Sequence, residues 1–117
     1  MKAGKNQQVV MRLVDAVSEN DKDRIQSFLA DDSVYYNLEG DKSVGRKAIW
    51  RLISSVHDQA KAVDWQLDEL HEDEEGCVLT AGRVRYLIDN DWREYEVNGA
   101  FEVRGSKIAK WRRAPTS

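Results

Sequence analysis

The side chains best suited to chemistry in this sequence are two arginines on a predicted β-strand. Residues 79–87 have the composition of a strand, and Arg83 and Arg85 lie two residues apart within it. Because successive residues of a strand point to opposite faces, these two side chains project from the same face. Two neighbouring guanidinium groups repel each other unless a negative group lies between them. The sequence therefore predicts an anionic partner for this pair.

A third arginine, Arg113, lies near the end of the predicted last strand, two residues after Trp111. Trp111 and Arg113 therefore share a face. Arginine holds carboxylate or phosphate through two parallel hydrogen bonds, so three arginines around an apolar cavity would suit an anionic, partly hydrophobic ligand. Trp111 could stack against such a ligand if the ligand is planar.

A structural alternative exists for the three arginines. In that alternative they form ion pairs with carboxylates of the neighbouring strands, for which the candidates are Glu94, Glu96 and Glu102. A β-bulge at Gly82 would also turn Arg85 away from a cavity. Both interpretations provide a negatively charged partner for the arginines, and the sequence leaves them open.

Apolar periodicity predicts three helices that precede most of the strands. The first covers residues 7–18, and a second, short helix is capped by Asn20 or Asp21, carries Phe28 and Leu29 on its inner face and ends at residues 31–32. Residues 34–37 form a brief strand, and residues 39–43 form a turn. The third helix begins near residues 45–46 and carries apolar residues at i, i+3, i+4 and i+7, namely Ile49, Leu52, Ile53 and Val56.

After residue 60 the apolar period changes to two, which indicates four consecutive strands. An acidic hairpin at residues 68–76 and turns near residues 89–91 and 105–106 separate them, and the long central strand covers residues 77–88. The order is helix, helix, strand, helix, then four strands. This order predicts one α+β domain over residues 1–117, with three helices on one face of a curved antiparallel or mixed sheet.

Composition limits the class of protein. The 117 residues are 41% hydrophobic and 33% charged, as in globular proteins, and the net charge of −3 with no basic face argues against a nucleic-acid partner. No apolar run approaches a membrane span, and no secretory signal is recognised, so we expect no membrane partner and a cytoplasmic location. The single cysteine, Cys77, fits a reducing compartment.

The sequence indicates no metal site and no cofactor. His57, at the end of the third helix, and His71, in the acidic hairpin, have no partner at metal-ligand spacing, and we interpret both as solvated. Cys77 lacks an identifiable base, which argues against a nucleophilic role.

Three separated segments resemble the limonene-1,2-epoxide hydrolase family, within the nuclear transport factor 2-like (SnoaL-like) superfamily of cone-shaped folds. The first comprises residues 29–37 and 44–49, the second residues 78–85, and the third residues 99–103 and 107–113. They span nearly the whole chain in the family's order. The resemblance implies the cone-shaped α+β fold and a pocket for a small molecule.

In that family a Tyr and an Asn two residues later hold the attacking water, and Tyr35 and Asn37 match them. An Arg bridges two aspartates, and Arg83 matches that Arg. One aspartate protonates the epoxide and the other removes the proton of the water, but Arg85 and Arg113 stand at their positions. Arginine stays protonated in proteins, so it cannot act as the base and is not a useful acid.

The resemblance therefore predicts ligand binding without epoxide hydrolysis, and no residue is assigned as catalytic. The ligand is expected to be small and apolar, and anionic if the arginines face it. The predicted pocket residues are Tyr35, Asn37, Arg83, Arg85, Trp111 and Arg113. For Tyr35 and Asn37 the alternative is core packing and support of a turn.

Two other functions remain open at this point. The first is an enzyme resembling ketosteroid isomerases or polyketide cyclases, which would use another pocket carboxylate, namely Asp64, Glu69 or Glu102. The second is a structural or dimerisation module whose cavity is filled by its own side chains. Apolar strand positions around Trp65, Trp92 and Tyr95 lead us to expect a homodimer.

Overall fold

In the computed structural model, which describes residues 4–114, six strands form a mixed sheet that packs with three helices. The predicted α+β fold is confirmed; residues 1–3 and 115–117, which the predicted domain includes, lie outside the described residues. In chain order the elements are α1 Lys5–Ser18, α2 Lys22–Ser27, β1 Leu29–Tyr36, β2 Lys42–Val44, α3 Arg46–Gln59, β3 Ala62–Glu72, β4 Val78–Ile88, β5 Asp91–Arg104 and β6 Lys107–Ala114.

The order of the strands in the sheet is β2-β1-β6-β5-β4-β3. β3 to β6 form an antiparallel meander, which short turns after Glu72, Ile88 and Arg104 connect. β1 lies parallel to β6, with Tyr35 opposite Trp111. This single parallel pairing makes the sheet mixed, and it joins the N-terminal half of the chain to the meander.

The second helix is shorter than the sequence predicts. Asp21 caps it, as expected, because its side chain accepts a hydrogen bond of 3.2 Å from the backbone of Arg24. The helix ends at Ser27, and the carbonyl of Phe28 then accepts a hydrogen bond of 2.7 Å from the backbone of Ile108. Leu29 therefore begins a strand paired with β6, and the prediction that this segment stays helical as far as residues 31–32 is wrong. Part of the predicted turn at residues 39–43 is likewise β2, which pairs with β1.

The core lies between the helices and one face of the sheet. Its largest fully buried side chains are Phe101, Leu13, Ile25, Leu29, Ile49 and Ile108. Burial of its apolar stripe stabilises α1. On α3 the predicted stripe is buried only at Ile49 and Ile53, whereas Leu52 and Val56 remain exposed. None of the helices within residues 4–114 has the length and apolar character of a membrane-spanning segment.

A β-bulge interrupts the pairing of β3 with β4. Leu67 lies opposite Gly82 and Glu69 opposite Ala81, so Asp68 is the extra residue. The β3 backbone approaches β4 so closely here that a Cβ atom at Gly82 would collide with the carbonyl oxygen of Gln66. Glycine is therefore required at position 82 for a steric reason.

We expect Gly82→Ala to lower the free energy of unfolding by about 3 kcal/mol, because the added methyl group has to displace backbone atoms. Gly105→Ala is the control, since it meets open space and carries only the left-handed strain of φ 58°, about 1 kcal/mol. Urea denaturation of the two variants measures the difference. An equal or smaller loss at Gly82 would contradict the close approach.

Candidate functional site

A cavity of about 330 Å³ lies between α3 and the helix-facing side of the sheet. Much of its wall is apolar and comes from α3 and from the strands β3, β4 and β5: Ile49, Leu52, Ile53, Val63, Val84 and Val97. A smaller set of side chains brings hydrogen-bonding or charged groups to the wall: Tyr35, Asn37, Asp41, His57, Tyr86 and Arg113. An apolar cavity with a few polar groups is the usual form of a small-molecule site.

An aromatic cluster forms one side of the cavity. Trp111 stacks on Trp65 at 5.6 Å and on Phe101 at 5.4 Å, with interplanar angles of 13° and 30°. The ring of Tyr35 meets it edge-on at 5.2 Å. Since Trp65 and Phe101 both stack on Trp111, we infer that this indole shapes the wall. It does not offer a free face to a planar ligand, whereas the sequence suggested that it could stack against one.

Arg113 reaches the cavity from β6 and is half-buried. Its Nε is buried without a hydrogen-bond partner, and the guanidinium forms no ion pair with any residue from 4 to 114. Arg112, the preceding residue, projects from the other face of β6, with its guanidinium 5.0 Å from the ring centre of Tyr36. Tyr36 thus has a structural role on this face, because strand alternation turns it to the side opposite Tyr35. Arg113 is therefore a cation of the cavity wall that lacks an ion-pair partner among residues 4–114.

Trp65 brings a second unsatisfied donor to the cavity wall. Its indole Nε1 is buried and has no hydrogen-bond partner within residues 4–114. Buried polar groups in proteins nearly always have a partner, and those that lack one call for an explanation such as a bound ligand or water. Trp65 Nε1 and Arg113 Nε both donate and cannot accept, so the missing partner is a hydrogen-bond acceptor.

The phenol of Tyr86 lies in the same cavity, on β4. Burial raises the pKa of Tyr86 above its usual value, and the positive charge of Arg113 acts in the opposite direction. The phenol is therefore neutral at physiological pH. In that form it can donate a hydrogen bond to a bound molecule or accept one.

His57 is part of the cavity wall, contrary to our interpretation of it as solvated. It is half-buried near the end of α3. Burial lowers the pKa of His57, while a hydrogen bond with the backbone of Val17 and the charge of Asp58 raise it. Burial has the largest effect, so the imidazole is neutral at pH 7.

Tyr35 and Asn37 both lie in the cavity wall. The side-chain oxygen of Asn37 accepts hydrogen bonds from the backbones of Glu39, at 3.1 Å, and Asp41, at 2.9 Å. Asn37 therefore supports the turn between β1 and β2, which is the structural role considered for it. Its amide NH₂ group makes no hydrogen bond to another residue within 4–114 and remains able to donate to a ligand.

Arg83 and Arg85 project from the opposite face of the sheet, so the prediction that they line the pocket is wrong. The guanidinium of Arg83 lies 3.3 Å from Asp68 and 3.7 Å from Glu94. Hydrogen bonding and charge from Asp68, with the charge of Glu94, raise the pKa of Arg83 above its usual value. Arg85 lies 3.8 Å from Asp64 and 4.6 Å from the ring centre of Trp92.

The physical reason for this placement is the alternation of β4. Val84 and Tyr86 face the cavity, so the arginines that alternate with them must point outward. The bulge expected at Gly82 lies instead on the partner strand, at Asp68, where it brings a carboxylate to Arg83. Ion pairing on the outer face, one of the two interpretations left open, therefore describes Arg83 and Arg85.

The carboxylates proposed for an alternative enzyme lie away from the cavity. Asp64 pairs with Arg85, Glu102 pairs with Lys110, and Glu69 is exposed on β3. Within residues 4–114 the cavity wall includes one carboxylate, Asp41, which belongs to the exposed turn after Asn37.

The three tryptophan and tyrosine positions expected at a dimer interface lie in different places. Trp65 is 8% exposed and belongs to the cavity wall, whereas Trp92 and Tyr95 are about half exposed, at 46% and 52%. The ring of Tyr95 lies 5.9 Å from that of Tyr86. The homodimer stays a prediction.

The polar residues of the cavity that sequence reasoning missed include Tyr86, His57 and Asp41, and the first two carry a signal. Tyr86 alternates with Arg85 and follows the apolar positions Val78 and Val84 at even spacing. His57 follows Ile53 by four residues, which places it on the buried face of α3. Asp41 carries no comparable signal, because a hydrogen-bonded turn brings it to the cavity.

The fold and the cavity together define a class of protein in which helices and a mixed sheet surround an apolar cavity. A family model described as a SnoaL-like domain matches residues 10–111, so the chain belongs to the SnoaL-like family. No curated protein matches the sequence significantly.

Solved structures similar to this chain share the whole fold. An LEH-like epoxide hydrolase of M. tuberculosis is 24% identical, with a TM-score of 0.82, over 93% of this chain and 80% of that one. A cystatin-fold protein of Novosphingobium aromaticivorans is 15% identical, with a TM-score of 0.84, over 97% and 100%. A protein with a ketosteroid isomerase-like fold from Catenulispora acidiphila, in complex with trimethylamine, is 14% identical, with a TM-score of 0.80, over 92% and 85%. At these identities the likeness establishes the fold alone.

We expect the imidazole of His57 to titrate below its ordinary pKa of about 6.5, because the cavity wall disfavours the charged form. The chain has two histidines, so the ring signals in an NMR titration are assigned by their loss in His57→Gln and in His71→Gln. A midpoint for His57 at or above 6.5 would show that the ring is solvated.

The same shift affects stability. As the pH falls, the unfolded chain takes up a proton at His57 at a higher pH than the folded chain does. This residue therefore lowers the free energy of unfolding as the pH falls below about 6.5. His57→Gln removes that contribution, and comparison of urea denaturation at pH 7.5 and 5.5 measures it. A pH dependence unchanged by His57→Gln would contradict this burial.

Proposed function

We propose that this protein binds a small, mainly apolar organic anion in the cavity, and that Arg113 holds its negative charge. The observation that carries the proposal is the buried Nε of Arg113, which has no hydrogen-bond partner within residues 4–114 although it borders an apolar cavity. Partial burial of a guanidinium is costly unless an anion or other acceptors compensate it. A ligand carboxylate, sulfonate or enolate would supply that compensation.

The contrast with the outer face supports this choice. Arg83 and Arg85 have the carboxylates of Asp68, Glu94 and Asp64 within 4 Å. Arg113 has no such partner among the described residues, and Trp65, whose buried Nε1 also lacks a partner there, lines the same cavity. The arrangement fits a ligand that carries more than one acceptor atom, because two separate donors lack hydrogen-bond partners within residues 4–114.

Open volume argues against a purely structural role. About 330 Å³ remains between the side chains, which falls within the range of small-molecule sites, so the cavity is not filled by the protein itself. The apolar wall suits the hydrocarbon part of a ligand, because the transfer of apolar surface from water into an apolar environment is favourable.

We also propose that the protein does not open epoxides by the two-aspartate route of the limonene-1,2-epoxide hydrolases that its sequence resembles. The side chains that β4 turns toward the cavity are Val84 and Tyr86, and β6 contributes Trp111 and Arg113. None of these is an acid or base suited to that route at neutral pH. Asp41 is an exposed residue of a turn, so it does not replace a pair of buried acids.

Naphthalene-2-sulfonate and its neutral analogue naphthalene-2-sulfonamide test the role of Arg113. We expect the sulfonate to bind more tightly than the sulfonamide, since only the sulfonate forms a charge-assisted bond with the guanidinium. Arg113→Met should weaken sulfonate binding by about tenfold or more, as expected for loss of a hydrogen bond to a charged group. Sulfonamide binding should change much less. Isothermal titration calorimetry measures all four affinities.

The matched control is Arg112→Met, which removes the same charge one residue earlier on the opposite face of β6. It preserves the net charge of the Arg113 variant and leaves the cavity wall intact, so sulfonate affinity should stay near the parent value. Equal binding of sulfonate and sulfonamide to the parent, or equal losses in the two variants, would refute the proposal.

A further inference from the structure

His57 and Arg113 border the same cavity from opposite sides, α3 and β6. Arg113 is permanently charged, whereas His57 changes its charge within the physiological range. The anion-binding role proposed above does not use His57. His57 is therefore a titratable group of the cavity wall that has no role in the proposed function.

An anion in the cavity changes the balance that keeps this imidazole neutral. Burial disfavours the imidazolium, and Arg113 lines the same cavity. A bound anion offsets the charge of Arg113 and attracts a proton to the ring. Water leaves the cavity when the ligand enters, and the attraction between the remaining charges is then stronger than in water.

We propose that an organic anion enters this cavity together with a proton, and that His57 takes up that proton. The inference rests on the proposed function, since it requires that an anion binds. It identifies the ligand as one whose negative charge is held by two cations in the complex, the guanidinium of Arg113 and the imidazolium of His57. The proton comes from solvent and no bond in the ligand is broken.

The other charged and titratable groups around His57 do not substitute for it. On α3 the neighbouring Asp58 favours the imidazolium, and on α1 the hydrogen bond with the Val17 backbone favours it as well. Across the cavity lie the phenols of Tyr35 and Tyr86, the guanidinium of Arg113 and the carboxylate of Asp41. Between about pH 5.5 and 8, His57 is the member of this set whose ordinary pKa lies within range.

The sign of the effect follows from linkage. If the complex holds a proton that the free protein lacks, affinity rises as the pH falls, by up to about tenfold per pH unit. Naphthalene-2-sulfonate stays ionised throughout this range, so the ligand itself contributes no proton. Proton uptake should therefore lie between zero and one per bound ligand and should vanish at high pH.

The experiment is calorimetric titration of the intact chain with naphthalene-2-sulfonate at several values between about pH 5.5 and 8. Bis-tris and imidazole are suitable buffers, because they differ in ionisation enthalpy and neither is an anion. In the parent and in His71→Gln, which changes an exposed residue of β3, we expect proton uptake and tighter binding at lower pH. In His57→Gln both effects should be lost.

A second measurement does not depend on a mutation in the cavity. The NMR titration midpoint of His57 should move upward when the parent protein is saturated with the sulfonate. An unchanged midpoint, or binding without proton uptake, would overturn this inference and leave the proposed function intact. Uptake that survives in His57→Gln and disappears in Asp41→Asn would assign the proton to Asp41 and also overturn it. Absence of sulfonate binding would overturn both proposals.

Discussion

The stacking of Trp111 between Trp65 and Phe101 is the interaction on which the site depends. It joins β6 to β3 and β5, and the edge of Tyr35 adds β1. Each aromatic pair contributes about 0.5–1.5 kcal/mol beyond the area that it buries. Because this cluster fixes the orientation of β6 at Trp111, it also fixes the face from which Arg113 projects two residues later. A packing interaction thus determines where the free guanidinium lies.

The sequence predicts the elements around the site well, because their periodicity is local. The helices α1 and α3 and the four consecutive strands follow from spacing alone, as does the common orientation of Arg83 and Arg85. Which side of the sheet these arginines occupy is not a local property. It depends on the packing of Val84 and Tyr86 under α3 and on the carboxylate that the β3 bulge brings to Arg83. Charged side chains take the face where partners and water compensate them.

Contacts between distant parts of the chain explain the remaining differences. Residues 28–32 have a helical pattern, yet β6 pairs with this segment through the backbones of Phe28 and Ile108 and makes it a strand. Asp41 reaches the cavity through a turn that the side chain of Asn37 supports. The position of His57 could have been predicted by extending the α3 stripe, which runs from Ile49 through Ile53, by four more residues. In each case tertiary structure decided what the local pattern left open.

The alternation along β4 has a consequence for how such a protein diverges. On β4, Val84 and Tyr86 form one set, which belongs to the cavity, and Arg83 and Arg85 form the other set, which belongs to an ion-paired surface on the other side of the sheet. A substitution in one set leaves the other set untouched, so ligand preference and surface properties can be inherited and altered separately on a single strand. Relatives with the same fold can thus differ in the cavity residues of this strand, while the alternating residues on the outer surface change independently.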